Sequence, residues 1–394
     1  MGAVKQVDIA VIGAGPAGLS LACALASSGL QLCLIDPQSK AELSDPPMDG
    51  RDIAMTHLSK TILMEMGVWQ RFESDVVHPL CEATVQDGSS PYALHFERSD
   101  DPDAPLGYLV ANHQIRKALF SQAQTLKNVD WLYEQSVIST SASGSGGRVV
   151  LDNGDVIEAS LVVSADSRFS TTRRMMGIGA KMKDFGRVMI VCNMTHPGSH
   201  RNTAQECFYY GRTCAILPLG ENTSSIVITV PAAKAEELTS SSPEDFESCV
   251  SDMLEHRLGK LTLVSERFSY PLVGAYADKF VSPGYALIGD AAVGMHPVTA
   301  HGYNLGLRSA DTLAKQILKA KQQGKDIGSL SVLQGYEWRH QLLAKPLYES
   351  TNMIVRLYTD DRPLAKLARK AAIRVGNNIA PFKKLVTHRL TQIR

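Results

Sequence analysis

The 394-residue chain carries no surplus of either charge: 40 Lys and Arg stand against 40 Asp and Glu, a formal net charge of zero. With no basic excess to attract phosphates, a nucleic-acid partner is not expected. Long apolar runs are missing as well, and no stretch approaches the roughly 18 residues needed to span a bilayer. The start shows no secretory pattern, because the apolar run at 7–12 contains Asp8 and continues into a glycine-rich turn. Cysteines are few: Cys23, Cys33, Cys81, Cys192, Cys207, Cys214 and Cys249. They are odd in number and include no C-x-x-C pair, which argues against a disulfide framework or a zinc site. The expectation is a reduced, cytoplasmic chain with no metal. What is present, 44% hydrophobic and 20% charged residues, is globular, and the length calls for one large domain plus a smaller one.

Residues 7–12 (VDIAVI) form a β-rich run, followed by GAGPAG at 13–18 and a helical pattern. In that helix Leu21, Ala24, Leu25 and Ser28 share a face, and Gly29 is placed to stop it. A second run at 31–36 (QLCLID) ends on an acid, completing a β-α-β unit with parallel strands. The middle differs. Between about Phe185 and Val230, RVMIVCNM, QECFYY, CAILPL and SSIVITV alternate with turn residues, which predicts an antiparallel sheet inserted into the nucleotide-binding domain. The aromatic group Phe208, Tyr209 and Tyr210 is ordinary strand chemistry whose inward members could wall a substrate pocket. The stretches at 139–147 (STSASGSGG) and 239–243 (TSSSP) read as surface loops.

After Tyr285 the pattern returns to strand, turn and helix, with Leu307, Ala310, Ala314 and Ile317 on one face and a stop near Gly324. From Arg339 onward the tail is helical and basic. It carries Arg339, Lys345, Arg356, Arg362, Lys366, Arg369, Lys370, Arg374, Lys383, Lys384, Arg389 and Arg394 against Glu349, Asp360 and Asp361. Such a face is either simply solvated or a contact for anionic lipid heads or a partner protein, which would put a cytoplasmic protein on the inner face of a membrane. The expected fold is α/β: a discontinuous Rossmann-type nucleotide-binding domain at 1–80, 109–180 and 276–340, with an inserted, mainly antiparallel substrate domain at 81–108 and 181–275. A C-terminal basic helical tail follows at 341–394. Oligomeric state is left open.

Two motifs carry chemistry. In Gly13-Ala-Gly15-Pro16-Ala17-Gly18 the first glycine permits a tight turn, the second lets backbone approach a pyrophosphate, and the third lets helix pack on strand. The phosphates then meet the helix N-terminus, where free N–H groups and the helix dipole favour negative charge. Asp36, ending the second strand, can accept from a ribose with a free 2′-hydroxyl, which favours FAD or NAD over NADP. The second motif, ALIGDAA at 286–292, places Gly289 and Asp290 directly after a buried strand, where a carboxylate could hold a ribityl hydroxyl. It leads through Met295, His296, Pro297 and His301 into a helix starting near Gly302, Tyr303 and Asn304. That N-terminus, aimed at a flavin pyrimidine, would stabilise negative charge on reduced flavin, and Pro297 would fix the loop against the ring.

GAGPAG at 13–18, SADSRFSTTRR at 164–174 and GDAAVGMHPVTAHGYNLGL at 289–307 resemble, in order and spacing, the three fingerprints of class A FAD-dependent monooxygenases. The resemblance covers nearly the whole chain. DGRDIAMTHLSKTILMEMGVW at 49–69, LGYLVANHQIRKAL at 106–119 and LPLG at 217–220 narrow it to the ubiquinone-biosynthesis hydroxylases of the UbiH and UbiF type. It implies FAD as cofactor, NAD(P)H as electron donor, and O2 plus a small lipophilic aromatic substrate, a prenylated phenol or quinol hydroxylated through a flavin C4a-hydroperoxide. It also implies FAD contacts at Arg51, at Asn112 and at Asp166, although Arg51 could be a plain surface arginine and Asn112 and Asp166 could instead cap helices. Where the family usually has Asp-Gly, this chain has Asp166-Ser167. No side chain is assigned as catalytic; the loop with Pro297, His301 and Gly302 is expected to face the flavin. The same fingerprints would also suit a flavin-dependent reductase or epoxidase of a polyprenyl chain, or a non-catalytic FAD-binding scaffold.

Overall fold

A computed structural model describes residues 2–88, 93–96, 105–144, 146–209 and 211–359, together with Arg362 and Arg369. Tyr210, Asp360, Asp361 and the basic residues from Lys366 onward, other than Arg369, lie outside the described residues.

The first part of the chain supplies β1 (Val4–Ile12), α1 (Pro16–Ala24), β2 (Leu32–Ile35), α2 (Lys40–Ser44), β3 (Asp52–Met55) and α3 (His57–Glu65). Next come β4 (Val77–Leu80), β5 (Glu82–Asp87), β6 (Ala93–Phe96), β7 (Gly107–Ala111) and α4 (Asn112–Ala123). The chain continues through β8 (Val129–Leu132), β9 (Val137–Ser143), β10 (Gly146–Leu151), β11 (Val156–Ser164) and α5 (Thr171–Met175). Its second half holds β12 (Ala180–Thr195), β13 (Thr203–Tyr209), β14 (Arg212–Pro218), β15 (Thr223–Pro231), α6 (Ala232–Ser240) and α7 (Pro243–Met253). Last are β16 (Thr262–Leu263), β17 (Phe268–Ala277), β18 (Val281–Ser282), β19 (Tyr285–Leu287), β20 (Val293–Gly294), α8 (Gly302–Gln322) and α9 (Leu330–Thr359).

One sheet runs β18-β19-β11-β1-β2-β8. Its central pairs, β19 with β11, β11 with β1, β1 with β2 and β2 with β8, are all parallel. Strands covered on both faces read as unbroken apolar runs, which is why IAVI and LCLI show no alternation. Helix α1 ends at Ala24, short of Gly29, and a turn carries the chain to that glycine at φ +67°. The stretch at 139–147 is not a loop. It forms most of the β9–β10 hairpin, because Val149 and Leu151 of β10 are fully buried and draw the Ser-rich β9 alongside. Pairing asks only for backbone groups, so polar composition did not prevent it. At 239–243 the chain leaves α6 and re-enters α7, with Ser242 capping the latter.

The second large sheet runs β20-β17-β12-β15-β14-β13-β5-β6. It is antiparallel except where β13 meets β5 in parallel. Its outer face buries Ile190, Cys192, Ile226 and Ile228 with Phe246 and Val250 of α7. Alternation turns Met189, Val191, Val227, Tyr270 and Leu272 to the inner face, toward the first sheet's layer. Phe208 is likewise inward and stacks on Tyr358 of α9 at 3.8 Å, whereas Tyr209 belongs to the outer cluster. A small sheet, β3-β7-β4, sits beside these two. Among the described residues no helix is long and apolar enough to cross a membrane.

Candidate functional site

The β1–α1 turn is built as its glycines require. Gly13 has φ +106°, and a Cβ there would fall 2.7 Å from the Ala165 carbonyl oxygen. At Gly18 an added Cβ would sit 1.9 Å from the Gly13 carbonyl oxygen. Gly15 differs: nothing lies within 4 Å of where its Cβ would be, so its backbone borders open space at the α1 N-terminus. Pro16 occupies the first turn, where no intrahelical N–H is lost, and Ala17 follows it. Asp36 is buried at the end of β2. Its Oδ2 accepts from Ala14 N at 2.7 Å and its Oδ1 from Gln38 N at 2.9 Å, so the carboxylate holds the turn and still has lone pairs to offer.

The second motif lies beside it. Gly289, at φ +59°, packs so close to α1 that a Cβ would fall 2.7 Å from Ala17 Cβ, and its N–H donates to Ser309 of α8. Asp290 Oδ2 takes both Arg168 Nε (3.1 Å) and Arg168 Nη2 (2.8 Å), while Arg168 Nη1 donates to the Val273 carbonyl of β17. Arg168 thus ties the central motif, the second motif and the antiparallel sheet. Arg173, buried, donates to the Ala291 carbonyl from the same side. Asp166 Oδ2 accepts from Ser170 and Thr172, but Oδ1 is buried without a partner. The N-cap of α5 is Ser170, so Asp166 braces that cap rather than forming it.

The loop into α8 brings mixed results. Gly302 begins the helix, and its Cβ position is open, like that of Gly15. Pro297 starts the 3-10 turn of the loop. Asn304 has no side-chain capacity left: its oxygen accepts from Thr56 N and Ser59 Oγ, and its nitrogen donates to Ala54 and Ala300 carbonyls. It fastens β3 to α8, so any cofactor contact there comes from backbone. Tyr303 packs against the core near Cys23; burial pushes its hydroxyl up, and that oxygen has no partner. Burial, helped by the cations Lys183, Arg187 and Arg168, pushes His296 down to about 4, so it is neutral at pH 7. His301 is also pushed down by burial, opposed by the nearby Thr299 backbone, and its Nδ1 is buried without a partner.

Arg51 and Asn112 meet through a residue that sequence reasoning passed over. Asp49 Oδ2 takes Arg51 Nη2 at 2.6 Å and Asn112 Nδ2 at 2.7 Å, and Tyr270 of β17 donates to the Asp49 carbonyl. Asn112 is the first residue of α4 and does not cap it. Burial opposes ionisation of Asp49, yet Arg51 and Asn112 hold it below the usual carboxylate range. Next to this cluster Asp52 is pushed up to about 6 by burial, with Asp49 adding to the rise and Ser225 of β15 opposing it. The Ser225 hydroxyl lies near Asp52 without reaching hydrogen-bond geometry and has no partner. No local pattern marks Asp49, Asp52 or Tyr270; each matters only because β3 is laid against the second sheet. An open groove lined by Gln6, Ser143, Arg148 and Glu158 lies elsewhere and contains none of these groups.

Open space at both Gly15 and Gly302, with the unpartnered Asp166 Oδ1, fits a dinucleotide stretched from the α1 N-terminus to the α8 N-terminus. Residues 6–348 match the family model described as FAD binding domain. The chain is 48% identical over 388 residues to ubiquinone hydroxylase UbiM of Neisseria meningitidis, covering 98% of this chain and 84% of that protein. It is 32% identical over 381 residues to ubiquinone hydroxylase UbiL of Rhodospirillum rubrum, covering 97% and 88%. Among solved structures, p-nitrophenol 4-monooxygenase PnpA of Pseudomonas putida shares the fold at TM-score 0.77 and 16% identity, over 98% of this chain and 99% of that one. Joined to glycine turns that leave the space a flavin dinucleotide needs, these matches place the chain in the FAD binding domain family, as an FAD-dependent monooxygenase.

Proposed function

We propose that this protein hydroxylates the aromatic ring of a prenylated phenol or quinol on the route to ubiquinone, using O2 and NAD(P)H. The observation that carries the reading is near-full-length similarity to two ubiquinone hydroxylases, on a chain whose two glycine-flanked helix ends border open space. Reductase, epoxidase and scaffold readings draw no support from these relatives.

When bound and reduced, FAD supplies the activation of O2 for transfer of one oxygen atom to the ring. The chain's own residues do the rest. Gly13, Gly15, Pro16, Ala17 and Gly18 form the phosphate turn, and Asp36 receives the ribose. Arg51 and Asn112, oriented by Asp49, meet the cofactor from the β3 side, with Asp166 and Asp290 on the other. Gly289 lets α1 approach. At the flavin end the loop with Pro297 and the first turn of α8, Gly302, Tyr303 and Asn304, present backbone N–H groups to developing negative charge. The inner face of the antiparallel sheet excludes water above the ring. On this reading residues 1–80, 109–180 and 276–340 hold the cofactor, and 81–108 with 181–275 hold the substrate.

The finer part of the proposal is membrane contact through the C-terminal helix. On α9, Trp338, Leu342 and Met353 are 65%, 57% and 68% exposed. Their spacing puts them on one stripe with Lys345, Arg356 and the acid Glu349, beside Arg339, so that cations outnumber the acid, as in a helix that lies on an anionic surface. A lipophilic substrate would be collected there. The function is tested by mass spectrometry of the quinone pool in a strain lacking this protein. A prenylated precursor one oxygen short accumulates; an unchanged pool removes the ubiquinone reading.

A further inference from the structure

Register fixes which side chains follow one another across the second large sheet. Leu94 opposes Val85, Val85 opposes Glu206, and Glu206 opposes Ala215. Ala215 then opposes Val227, Val227 opposes Val191, and Val191 opposes Phe268. Their strand neighbours Cys207, Cys214, Ile216, Ile226, Ile228, Ile190 and Cys192 are the outer cluster under α6 and α7. Alternation therefore turns this row inward. Glu206 is the single carboxyl in a row that is otherwise apolar.

Both ends of the inner face are closed. Phe268 lies against the segment that carries Arg51 and Asp52: a Cβ on Gly50 would fall 2.4 Å from its ring. Two residues along β13 from Glu206, Phe208 stacks on Tyr358 of α9. Between these limits Glu206, Val85, Leu94 and Val227 keep part of their surface accessible. Glu206 has no hydrogen bond or ion pair among the described residues, and burial alone pushes its acid up to about 8. A carboxyl set into an apolar row with no protein partner among the described residues is poorly solvated there, and a leucine would suit the packing better. Such a group makes sense when the ligand supplies its partner.

We infer that Glu206 binds the substrate, hydrogen-bonding an oxygen of the aromatic ring while the flanking apolar row takes the prenyl chain, and so determines how the ring is presented. This rests on the hydroxylase reading. At neutral pH the group is the uncharged acid, able to donate to one ring oxygen or accept from a hydroxyl. The other charged groups set toward this side include Asp87 of β5, ion-paired with Arg369 at 3.7 Å, Asp52 of β3, and Lys183 and Arg187 of β12 near His296. None of them contributes to the rise at Glu206.

The test titrates FAD-loaded protein with 2-farnesylphenol, reading the change in flavin absorbance between pH 6 and 9. Glu206→Leu weakens binding about tenfold, the loss of one hydrogen bond to a neutral group, while keeping full FAD content and an equal or higher Tm. Glu206→Gln, which can still donate and accept, stays within about threefold of the parent. Parent affinity falls above pH 8, where an ionised carboxylate would have to shed its water beneath the ring, and the Gln variant shows no such fall. Parent-like binding by Glu206→Leu, or a Gln variant as weak as the Leu variant, overturns the inference. Product analysis with NADH or NADPH and O2 separates the two claims. A parent protein that binds the phenol but never oxygenates it refutes the hydroxylase reading, whereas oxygenation with unchanged Leu-variant affinity refutes only the role of Glu206.

Discussion

Replacing Asp290 by alanine separates the ion pair with Arg168 from the cofactor contact proposed for the same carboxylate. Oδ2 is occupied by the two-pronged bond from Arg168, and Oδ1 has no protein partner among the described residues. Charge-assisted bonds of this kind contribute about 1.5–3 kcal/mol when sheltered. Here the side chains are 27% and 35% exposed, so solvent screening brings the expected coupling to about 1 kcal/mol. In apoprotein, urea unfolding of Asp290→Ala, Arg168→Ala and the double variant should return that coupling as the non-additive part. FAD retention should not follow the same pattern. Arg168→Ala leaves Oδ1 in place and costs the cofactor little beyond orientation. Asp290→Ala removes the acceptor itself, so FAD affinity drops at least tenfold, about 1.4 kcal/mol, and the protein purifies largely colourless. The measurement is the ratio of flavin to protein absorbance after gel filtration, with unfolding curves alongside. Full yellow occupancy in Asp290→Ala would refute the placement of a cofactor hydroxyl at this carboxylate. Equal loss in both single variants would show that the ion pair, not Oδ1, holds the flavin.

Other expectations follow from burial. Asp52 ionises near pH 6 in the fold against about 3.9 in an unfolded chain. The folded state therefore keeps its proton longer, and stability is lost as pH rises through 6. Asp52→Asn should be more stable than the parent at pH 7 by about 1–2 kcal/mol, after allowing for partial access to solvent, and no more stable at pH 4. His296 and His340 behave oppositely. Burial holds them at about 4 and about 3, so they stay neutral in the fold while an unfolded chain protonates them below about 6.5. Their contribution is complete above that pH and declines on acidification, by about 1.4 kcal/mol per unit for each. His340→Phe should flatten the stability slope between pH 6.5 and 4; an unchanged slope would show that other groups set it. For the α9 stripe, flotation with anionic vesicles should recover the full chain, and Trp338→Glu with Leu342→Glu should abolish recovery. Equal binding to zwitterionic vesicles would argue against the basic residues.

The parallel core was legible because its signals are local. The strand runs, glycine turn and terminal Asp36 of the β-α-β unit lie within 36 consecutive residues, and each needs only its neighbours to be understood. The four strand runs between Phe185 and Val230 were equally plain, since apolar, β-branched runs bounded by turn residues are a local signal. The β9–β10 hairpin was not, because a polar edge strand carries no hydrophobic period. At the site, glycines announced themselves by what a side chain would obstruct. Asn304 did not: from its position beside a flavin-facing helix end it reads as a ligand, and only its four partners reveal a staple. The pairing of Arg168 with Asp290 spans 122 positions. Glu206 requires the register of seven strands before it is seen to stand alone.

The order of strands in the parallel sheet also sets a timetable. β11 carries β1 along one side; on the other, β10 covers its first half and β19 pairs only Val162, Val163 and Ser164, yet β19 begins at Tyr285, well over a hundred residues later. At roughly 5–20 residues per second of synthesis, those three residues of β11 wait on the order of ten seconds without their partner on that side. Meanwhile the antiparallel sheet, drawn largely from consecutive hairpins, can close first. The late segment brings Gly289, Asp290 and α8 with it, so the edge and the cofactor site are finished together. Until that segment emerges, the C-terminal end of β11 is open to another chain's strand, and chaperone dependence should end when residues near 322 have left the ribosome.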